Sequence, residues 1–472
     1  MSSDLLGVID IGKTHTRFFV ADADSGKILS DAYRPSQGCD STVVRELDVF
    51  GIESWLIEVI GSHPQRRHIH TLVPIAHGAA AVLIDSERKI LIAPDYEDGR
   101  FEAVGDSYRE RRDPFEFSYS PFLPLGLNLG RQLYYLQTRH QQLFERAHTL
   151  LLFPQYWAWR FSGVAASELT SLGCHSDLWR PLQSRPTHLV ERQGWTSLLP
   201  TLHAAGGVVG TVSQEMASLA GLNPDCRVLC GLHDSNASFL SHLATRSTQP
   251  FAVVSSGTWT VIMARGADLR RIREPLDMLV NVDAFGGPVA TARFMGGREY
   301  EIVAGDSGRE VVASEKDVAA VISSRAFALP AFFNAGGPFA RVRGRLISAE
   351  LINAAQRAAL ATVYIALMTD YLLGLLDAHG DVIIDGPLAR NPIYASVLAA
   401  LRPQNPVFLT YASVPAVTAS CYLNKSVPMA QNCSLVPPSN STEALLEYRA
   451  AWLTLLEKHC QSDTTRIQCN LI

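Results

Sequence analysis

Charge is scarce in this 472-residue chain: Asp, Glu, Lys and Arg make up 18% of it, against 47% hydrophobic residues. That balance excludes global disorder, which requires low hydrophobicity and a high charge density. The formal net charge of -5 offers no long-range attraction to nucleic acid or to an anionic membrane. The aromatics of PQYWAWRFSG, 154–163, have no basic stripe beside them, so packing in a core or interface is a simpler reading than base stacking. Cysteine is sparse as well. There are eight, with no CxxC and no second close pair to complete a zinc site around Cys226 and Cys230, so reduced thiols in a cytoplasmic protein are expected. Missing too are an apolar run long enough to cross a bilayer, a basic region ahead of the first apolar stretch (Asp4 stands there instead), and a GxxxxGK[ST] phosphate loop. Neither a nucleic-acid nor a membrane partner is expected.

What is present is alternation. Strand candidates at 5–10 and 17–24 lead through the turn DSGK into KILSDAY, a hairpin signal. A helix is predicted over 43–60, a strand in HIHTLVPIAHG, and a strand–turn–strand in AAVLID-SERK-ILIAP. Residues 128–170 carry apolar positions at helical spacing, among them Leu133, Leu136, Leu143 and Phe144. VLCGLHDSNASFLSHLA reads as strand, loop and helix. The polar TRSTQP at 245–250 marks the expected domain boundary, giving domains 1–246 and 247–472 with an extra segment from about 430. The second half restarts with the strands FAVVSSG and TWTVIMA. It continues with a long helix over 348–378, the strand DVIID, the helix NPIYASVLAALR and the strand PVFLT. A loop over 432–442, a helix to about 460 and a poorly structured end complete it. Each half opens strand–glycine–strand, around Asp10–Gly12–Thr14 and Ser256–Gly257–Thr258, a pattern that suggests two related α/β domains.

The chemistry-bearing segments follow that echo. In DIGKTHTR, 10–17, glycine would let backbone approach phosphate oxygens while Lys13 and Thr14 add donors, and Asp10 could hold the water shell of a magnesium ion. A structural hairpin explains the same string. SSGTWT, 255–260, is a second glycine–hydroxyl turn, and NAGGPFAR and DGPLARNP are glycine turns each followed by an arginine. GLHDSNASFL, 231–240, sets His233 and Asp234 beside a glycine, where the acid could form a turn, bind a metal or accept a proton.

In this order the segments resemble the FGGY family of carbohydrate kinases, over nearly the whole chain to about residue 430. GVIDIGKTHTRFFVAD resembles the family's first phosphate motif, AHGAAAVLID with LIAPDYEDGR its sugar-site pair, and VLCGLHDSNASF the segment of its catalytic aspartate. VSSGTWTV, LPAFFNAGGPFARVRG and IIDGPLARNPIYASVLAA resemble its nucleotide-side motifs, and SELTSLG resembles a threonine-containing segment that is structural or close to the sugar. The resemblance implies an α/β fold of two ribonuclease-H-like, actin/hexokinase-like ATPase domains facing a central cleft. It also implies an enzyme that uses ATP and Mg2+ to phosphorylate a small-molecule sugar. The SGTWT form is closer to the members acting on L-fuculose and L-rhamnulose, while pentuloses, tetruloses and polyols stay open, as does a non-catalytic sugar- or nucleotide-binding regulator. By the same resemblance Asp234 is the general base and Asp10 the metal residue. Gly12, Lys13, Thr14, Arg17, Gly257, Thr258, Gly337, Gly386, Pro387 and Arg390 meet the nucleotide or the transferred phosphate. His77, Gly78, Asp98, Arg100 and His233 meet the sugar, with Asp98 foremost. The chain departs from the family where Lys13 replaces a small or hydroxylated residue, and in Asp385–Gly386–Pro387–Leu388 and Thr418–Ala419–Ser420, where more glycine and alanine are usual. The family also admits a homodimer.

Overall fold

The computed structural model describes residues 4–246, 249–333, 336–349, 353–410, 414–425 and 433–463. The chain gathers into two compact units. The first comprises Met1–Ser247, Val280–Pro288 and Ser413–Ala430, and the second Thr248–Leu279, Val289–Ala412 and Gln431–Ile472. The chain thus returns twice to the first unit after the expected boundary, of which residues 247 and 248 lie outside the described residues.

The first unit opens with an antiparallel meander of β1 (Leu5–Ile11), β2 (His15–Asp22) and β3 (Ile28–Pro35). Helix α1 (Val49–Ser62) starts later than the predicted residue 43. Arg45–Leu47 pairs as a short strand with Gly38–Asp40, and the Asp48 carboxylate then caps the helix by accepting the Gly51 N–H at 2.9 Å. Strand β4 (Ile69–Ala76) runs parallel to β1. The expected ribbon forms as Ala81–Asp85 and Ile90–Ile92, with Ala147–Leu152 on its other edge. That third strand interrupts the stretch predicted as helical over 128–170. Leu150, Leu151 and Leu152 are all buried, and so short an apolar run carries no period that separates strand from helix. Helix α2 (Phe153–Ser162) buries Trp157 and Trp159, so these tryptophans are core residues. Strands β5 (Val208–Thr211), β6 (Arg227–Leu229) and β7 (Leu232–His233) and helix α3 (Asp234–Leu243) complete the unit's main sheet. Its order is β5-β6-β4-β1-β2-β3, with β7 also on β4.

The second unit repeats this path. Strands β8 (Phe251–Ser256), β9 (Thr260–Arg265) and β10 (Pro288–Phe294) form the antiparallel meander, followed by helices α4 (Gly296–Gly308) and α5 (Ala354–Leu375). Strand β11 (Asp381–Asp385) then pairs parallel with β8, helix α6 (Pro392–Leu401) follows, and β12 (Val407–Thr410) pairs parallel with β11. Helix α7 (Pro415–Lys425) belongs to the first unit. Strand β13 (Cys433–Leu435) pairs antiparallel with β12, and helix α8 (Thr442–Asp463) closes the described chain. The order β10-β9-β8-β11-β12 matches β3-β2-β1-β4-β6 in sequence and in sense, so the echo reflects one five-strand path used twice. The edge strand beyond it comes before its neighbour in the first unit (β5 before β6) and after it in the second (β13 after β12), and a further strand, Leu279–Val282, lies beside β10. Strand β13 falls where a loop was expected over 432–442, residue 432 being outside the described residues. The expected unstructured end lies outside them from 464, while 461–463 belong to α8.

Helix α5 corrects another expectation. By length and composition it could cross a bilayer, although Arg357 and Asp370 punctuate it. In the fold, 83% of its apolar window is buried, as befits a helix that is apolar on all faces and forms a core. Among the described residues seven cysteines are free, and no cluster of His, Cys, Asp or Glu forms a metal cage.

Candidate active site

The parallel register of β4 builds the first constellation. Asp10 of β1 pairs with Ile75, Ile11 pairs with Ala76, and His233 of β7 also pairs with Ala76. Asp10, His77 and Asp234 therefore emerge at the C-terminal ends of three neighbouring parallel strands, where open α/β sheets bind ligands. They are electrostatic neighbours as well. Burial and then the Asp234 charge push the Asp10 carboxyl up to about 7, against the pull of Arg17, its cross-strand partner. Burial holds the His77 imidazole below its usual range, opposed by the Gly78 carbonyl, which lies 2.9 Å from Nδ1, and by Asp234. The His77 ring packs on Phe153 and Tyr96 at centroid distances of 5.1 and 5.8 Å.

Asp234 is the first residue of α3, where free backbone N–H groups favour a carboxylate. Its Oδ1 accepts the Ser235 N–H at 2.6 Å and stands 3.2 Å from His233 Nε2. The side chain is 35% exposed, whereas His233 is buried. Behind them runs a chain of hydrogen bonds. The His233 N–H donates to Thr170 Oγ1 at 3.0 Å, and the Thr170 hydroxyl donates to Glu168 Oε2 at 2.6 Å. Glu168 also caps the short helix Leu169–Leu172 by accepting the N–H groups of Thr170 and Ser171. Burial pushes its carboxyl up to about 7 despite these bonds. Cys174 Sγ lies 3.5 Å from His233 Nε2. Burial opposes both ionisations, yet His175 and His233 hold the thiol low, while Cys174 and Asp234 hold the His233 imidazole high. A Cβ at Gly78 would stand 2.9 Å from both Cys174 Sγ and His233 Nε2, so any side chain there would displace one of them. Glu168, Thr170 and Cys174 were not among the expected site residues. Their signal was a run of polar residues, SELTSLGC, in an otherwise apolar stretch.

A cleft of about 260 Å3 opens beside these groups, lined by Gly12, Lys13, Gly38, Arg45, His77 and Asp95 among others. Two of the expected site residues are engaged by protein partners. The Lys13 ammonium, assigned to phosphate, pairs with Asp95, lies 3.4 Å from Glu97 and sits 4.6 Å over the Tyr96 ring. The Asp98 carboxylate, ranked first for the sugar, is filled by protein donors: the Arg45 N–H, the Arg100 N–H at 2.8 Å, and the Arg100 guanidinium at 2.7 Å. Burial raises the Asp98 carboxyl, but these donors outweigh it and hold the group below its usual value. Arg100 also donates to the Ser41 carbonyl at 3.1 Å, so Asp98 and Arg100 form a clasp on the segment 41–45. The segment 10–17 is a hairpin turn, with the Gly12 N–H donating to the His15 carbonyl at 2.9 Å and Thr14 exposed at its tip. Arg17 pairs with Asp31.

The second unit gathers its own turns at the equivalent strand ends. Strand β8 leads into Gly257 and Thr258, both exposed, and the parallel neighbour β11 leads into Gly386 and Pro387. Ser256 Oγ ties them, donating to the Asp385 carbonyl at 2.7 Å and accepting the Leu388 N–H at 2.9 Å. Gly386 has φ of 80°, and a Cβ there would collide with the Ser256 carbonyl. Gly337 joins them through its N–H, which donates to Asp277 Oδ2 at 2.8 Å. Asp277 is itself paired with Arg293, which lies 4.8 Å over the Trp259 ring. Arg390 ends the turn Pro387–Arg390, exposed. Asp277, Arg293 and Trp259 were not anticipated, and only the aromatic inside SSGTWT hinted at them.

Two units of one ribonuclease-H-like path, each with glycine turns at its strand ends, define the actin- and hexokinase-like class. Comparison with known proteins is specific beyond the class. A profile described as carbohydrate kinase FGGY, C-terminal domain, matches residues 248–430. A carbohydrate kinase from Novosphingobium aromaticivorans is 34% identical and superposes with a TM-score of 0.87 over 97% of this chain and 99% of that one. L-fuculokinase of Escherichia coli (strain K12) is 24% identical over 283 residues, a match spanning 57% of this chain and 58% of the fuculokinase. A xylulose kinase from Lactobacillus acidophilus shares the fold alone, at 13% identity and a TM-score of 0.78 over 97% of each chain. The chain belongs to the FGGY family of carbohydrate kinases.

Proposed function

We propose that the protein transfers the γ-phosphoryl group of ATP to a hydroxyl of a neutral sugar, a ketose of the L-fuculose or L-rhamnulose type, with Asp234 as general base. The observation that carries this reading is the convergence of Asp10, His77 and Asp234 at adjacent strand ends in a chain of this family. Among the described residues the contacts on Asp234, from the Ser235 N–H, the Ser235 hydroxyl and His233, all fall on Oδ1, leaving Oδ2 to accept the hydroxyl proton. The hydroxyl oxygen bonds to the γ-phosphorus, the bond from that phosphorus to the bridging oxygen breaks, and ADP leaves. In a loose transition state proton transfer is late, so a carboxylate suffices and its larger task is to align the nucleophile. The Thr170 hydroxyl, which accepts the N–H of the residue before Asp234 and is itself held by Glu168, serves that alignment.

The half-buried Asp10, raised by the neighbouring Asp234, suits a divalent cation that would offset both charges, held through water by Asp10. Magnesium there would neutralise charge developing on the phosphates. In the second unit, Gly257, Thr258 and the Gly386 turn offer backbone donors and close approach to a nucleotide.

A neutral sugar is favoured over a sugar acid because the cations around the cleft are committed. Lys13 and Arg45 face Asp95, Arg100 faces Asp98, and Arg17 faces Asp31. The test is sugar-dependent ADP release by the full chain across L-fuculose, L-rhamnulose, D-xylulose, glycerol and D-gluconate. A deoxyketose raising turnover most supports the reading, and turnover indifferent to every sugar contradicts it.

A further inference from the structure

We propose that Asp95, rather than Asp98, is the carboxylate that selects the sugar, by accepting a hydroxyl hydrogen bond at Oδ2 within the cleft of the first unit. The proposal rests on the reading of that cleft as a sugar site. Asp95 is wholly buried, yet it lines the cleft. Its Oδ1 is spoken for by the Lys13 ammonium and the Glu97 N–H at 3.1 Å, and its backbone N–H donates to the Arg45 carbonyl at 2.8 Å. Its Oδ2 accepts no hydrogen bond among the described residues, although Arg45 Nε stands 3.1 Å away as an ion-pair partner. A buried carboxylate oxygen with a lone pair to spare, next to the cleft-lining Gly38 and Arg45, is a position a ligand donor can fill.

Gly38 keeps that position open. A Cβ at residue 38 would stand 3.0 Å from Asp95 Oδ2 and 2.5 Å from Arg45 Nε, so any side chain would fill the space in front of the free oxygen. Lys13 and Arg45 hold the carboxylate in place without filling it. The result is an acceptor fixed in geometry that reads hydroxyl donors and repels a second carboxylate. Asp98, three residues on, has each oxygen taken by Arg100 or by the Arg45 backbone, and its task is to hold the segment that carries Arg45.

The test is direct binding to the full chain by titration calorimetry, without ATP, using L-fuculose, L-rhamnulose, D-xylulose, glycerol and D-gluconate as probes. Asp95→Asn and Gly38→Ala are compared with the unaltered protein. Loss of a charge-assisted hydrogen bond is expected to weaken the best-bound neutral sugar by about tenfold to a hundredfold in Asp95→Asn. Gly38→Ala is expected to weaken it in the same direction by blocking Oδ2 while leaving Asp95 itself unaltered, and ATP affinity is expected to hold in both. Should Asp95→Asn fail to fold, Gly38→Ala decides alone. Neutral-sugar affinity unchanged in the folded variants would overturn the proposal. So would an unaltered protein that binds none of the probes, or one that binds D-gluconate best. A sugar bound through Asp95 with no ADP released would sustain the Asp95 role and contradict only the kinase reading.

Discussion

The two units share one sheet path but equip its strand ends differently. In the first, the ends of β1, β4 and β7 carry ionisable side chains, Asp10, His77 and Asp234, with Lys13 and Asp95 close by. In the second, the ends of β8 and β11 carry glycines and hydroxyls, tied by Ser256 and closed by the Asp277–Gly337 bond. The same scaffold therefore presents ionisable side chains in one unit and glycine and hydroxyl turns in the other. Side chains supply charge and acid–base capacity, whereas glycine turns supply N–H donors and room for phosphates. The contrast assigns each unit its own failure. Changes in the first should strike turnover and sugar, and changes in the second should strike nucleotide and fold.

The largest effect is expected at the base. Asp234→Asn keeps the shape of the side chain and its contact with the Ser235 N–H but removes the proton acceptor, so kcat should fall by about a thousandfold, with ATP affinity and melting temperature little changed. Gly386→Ala should break the other side. The position has φ of 80° and no room for a Cβ, so a loss of about 1–3 kcal/mol in unfolding free energy is expected, accompanied by a raised KM for ATP and an unchanged KM for sugar. Thr170→Val deletes the acceptor of the buried His233 N–H and loosens the residue before the base. Here kcat should drop about tenfold while a catalytically silent packing change would alter stability alone.

The smallest effect is a pH dependence in the second unit. Burial raises the Glu299 carboxyl from 4.5 to about 7, against the opposing hydrogen bond from Tyr364. A carboxyl raised in the fold contributes stability that is complete below its unfolded value and lost as pH climbs through its folded one. Between pH 4.5 and 7 the unaltered protein should lose stability relative to Glu299→Gln, on the order of 3 kcal/mol by pH 8. Chemical denaturation of both proteins across that range checks it, and parallel curves would reject the role.

Much of the fold was legible because its strands are apolar runs bounded by turns, and because both halves restart in the same way. The strand Ala147–Leu152 was not, since its leucines sit inside a longer apolar stretch with no turn to mark the change of period. The start of α1 was hidden by a strand pair, Gly38–Asp40 with Arg45–Leu47, whose partners are too short to announce themselves. At the site, Asp10, His77 and Asp234 could be placed together through the order of their motifs. The partners of Lys13 and Asp98 could not, because a carboxylate accepting three protein donors and one facing a cleft look alike as letters. Asp95 and Asp98 both lie in the segment PDYEDGR. Only the positions of Arg45, Arg100 and Gly38 distinguish them. Thr170 accepts the His233 N–H and is itself held by Glu168, a relation between segments that no local pattern carries.

The most direct test of phosphoryl transfer governed by Asp234 is mass-spectrometric detection of the sugar product after incubation with ATP labelled in the γ-phosphoryl oxygens, for the unaltered protein and for Asp234→Asn. The account predicts a sugar monophosphate carrying the labelled phosphoryl group with the first and essentially none with the second. A labelled inorganic phosphate and no sugar phosphate, or equal product from both proteins, would contradict it.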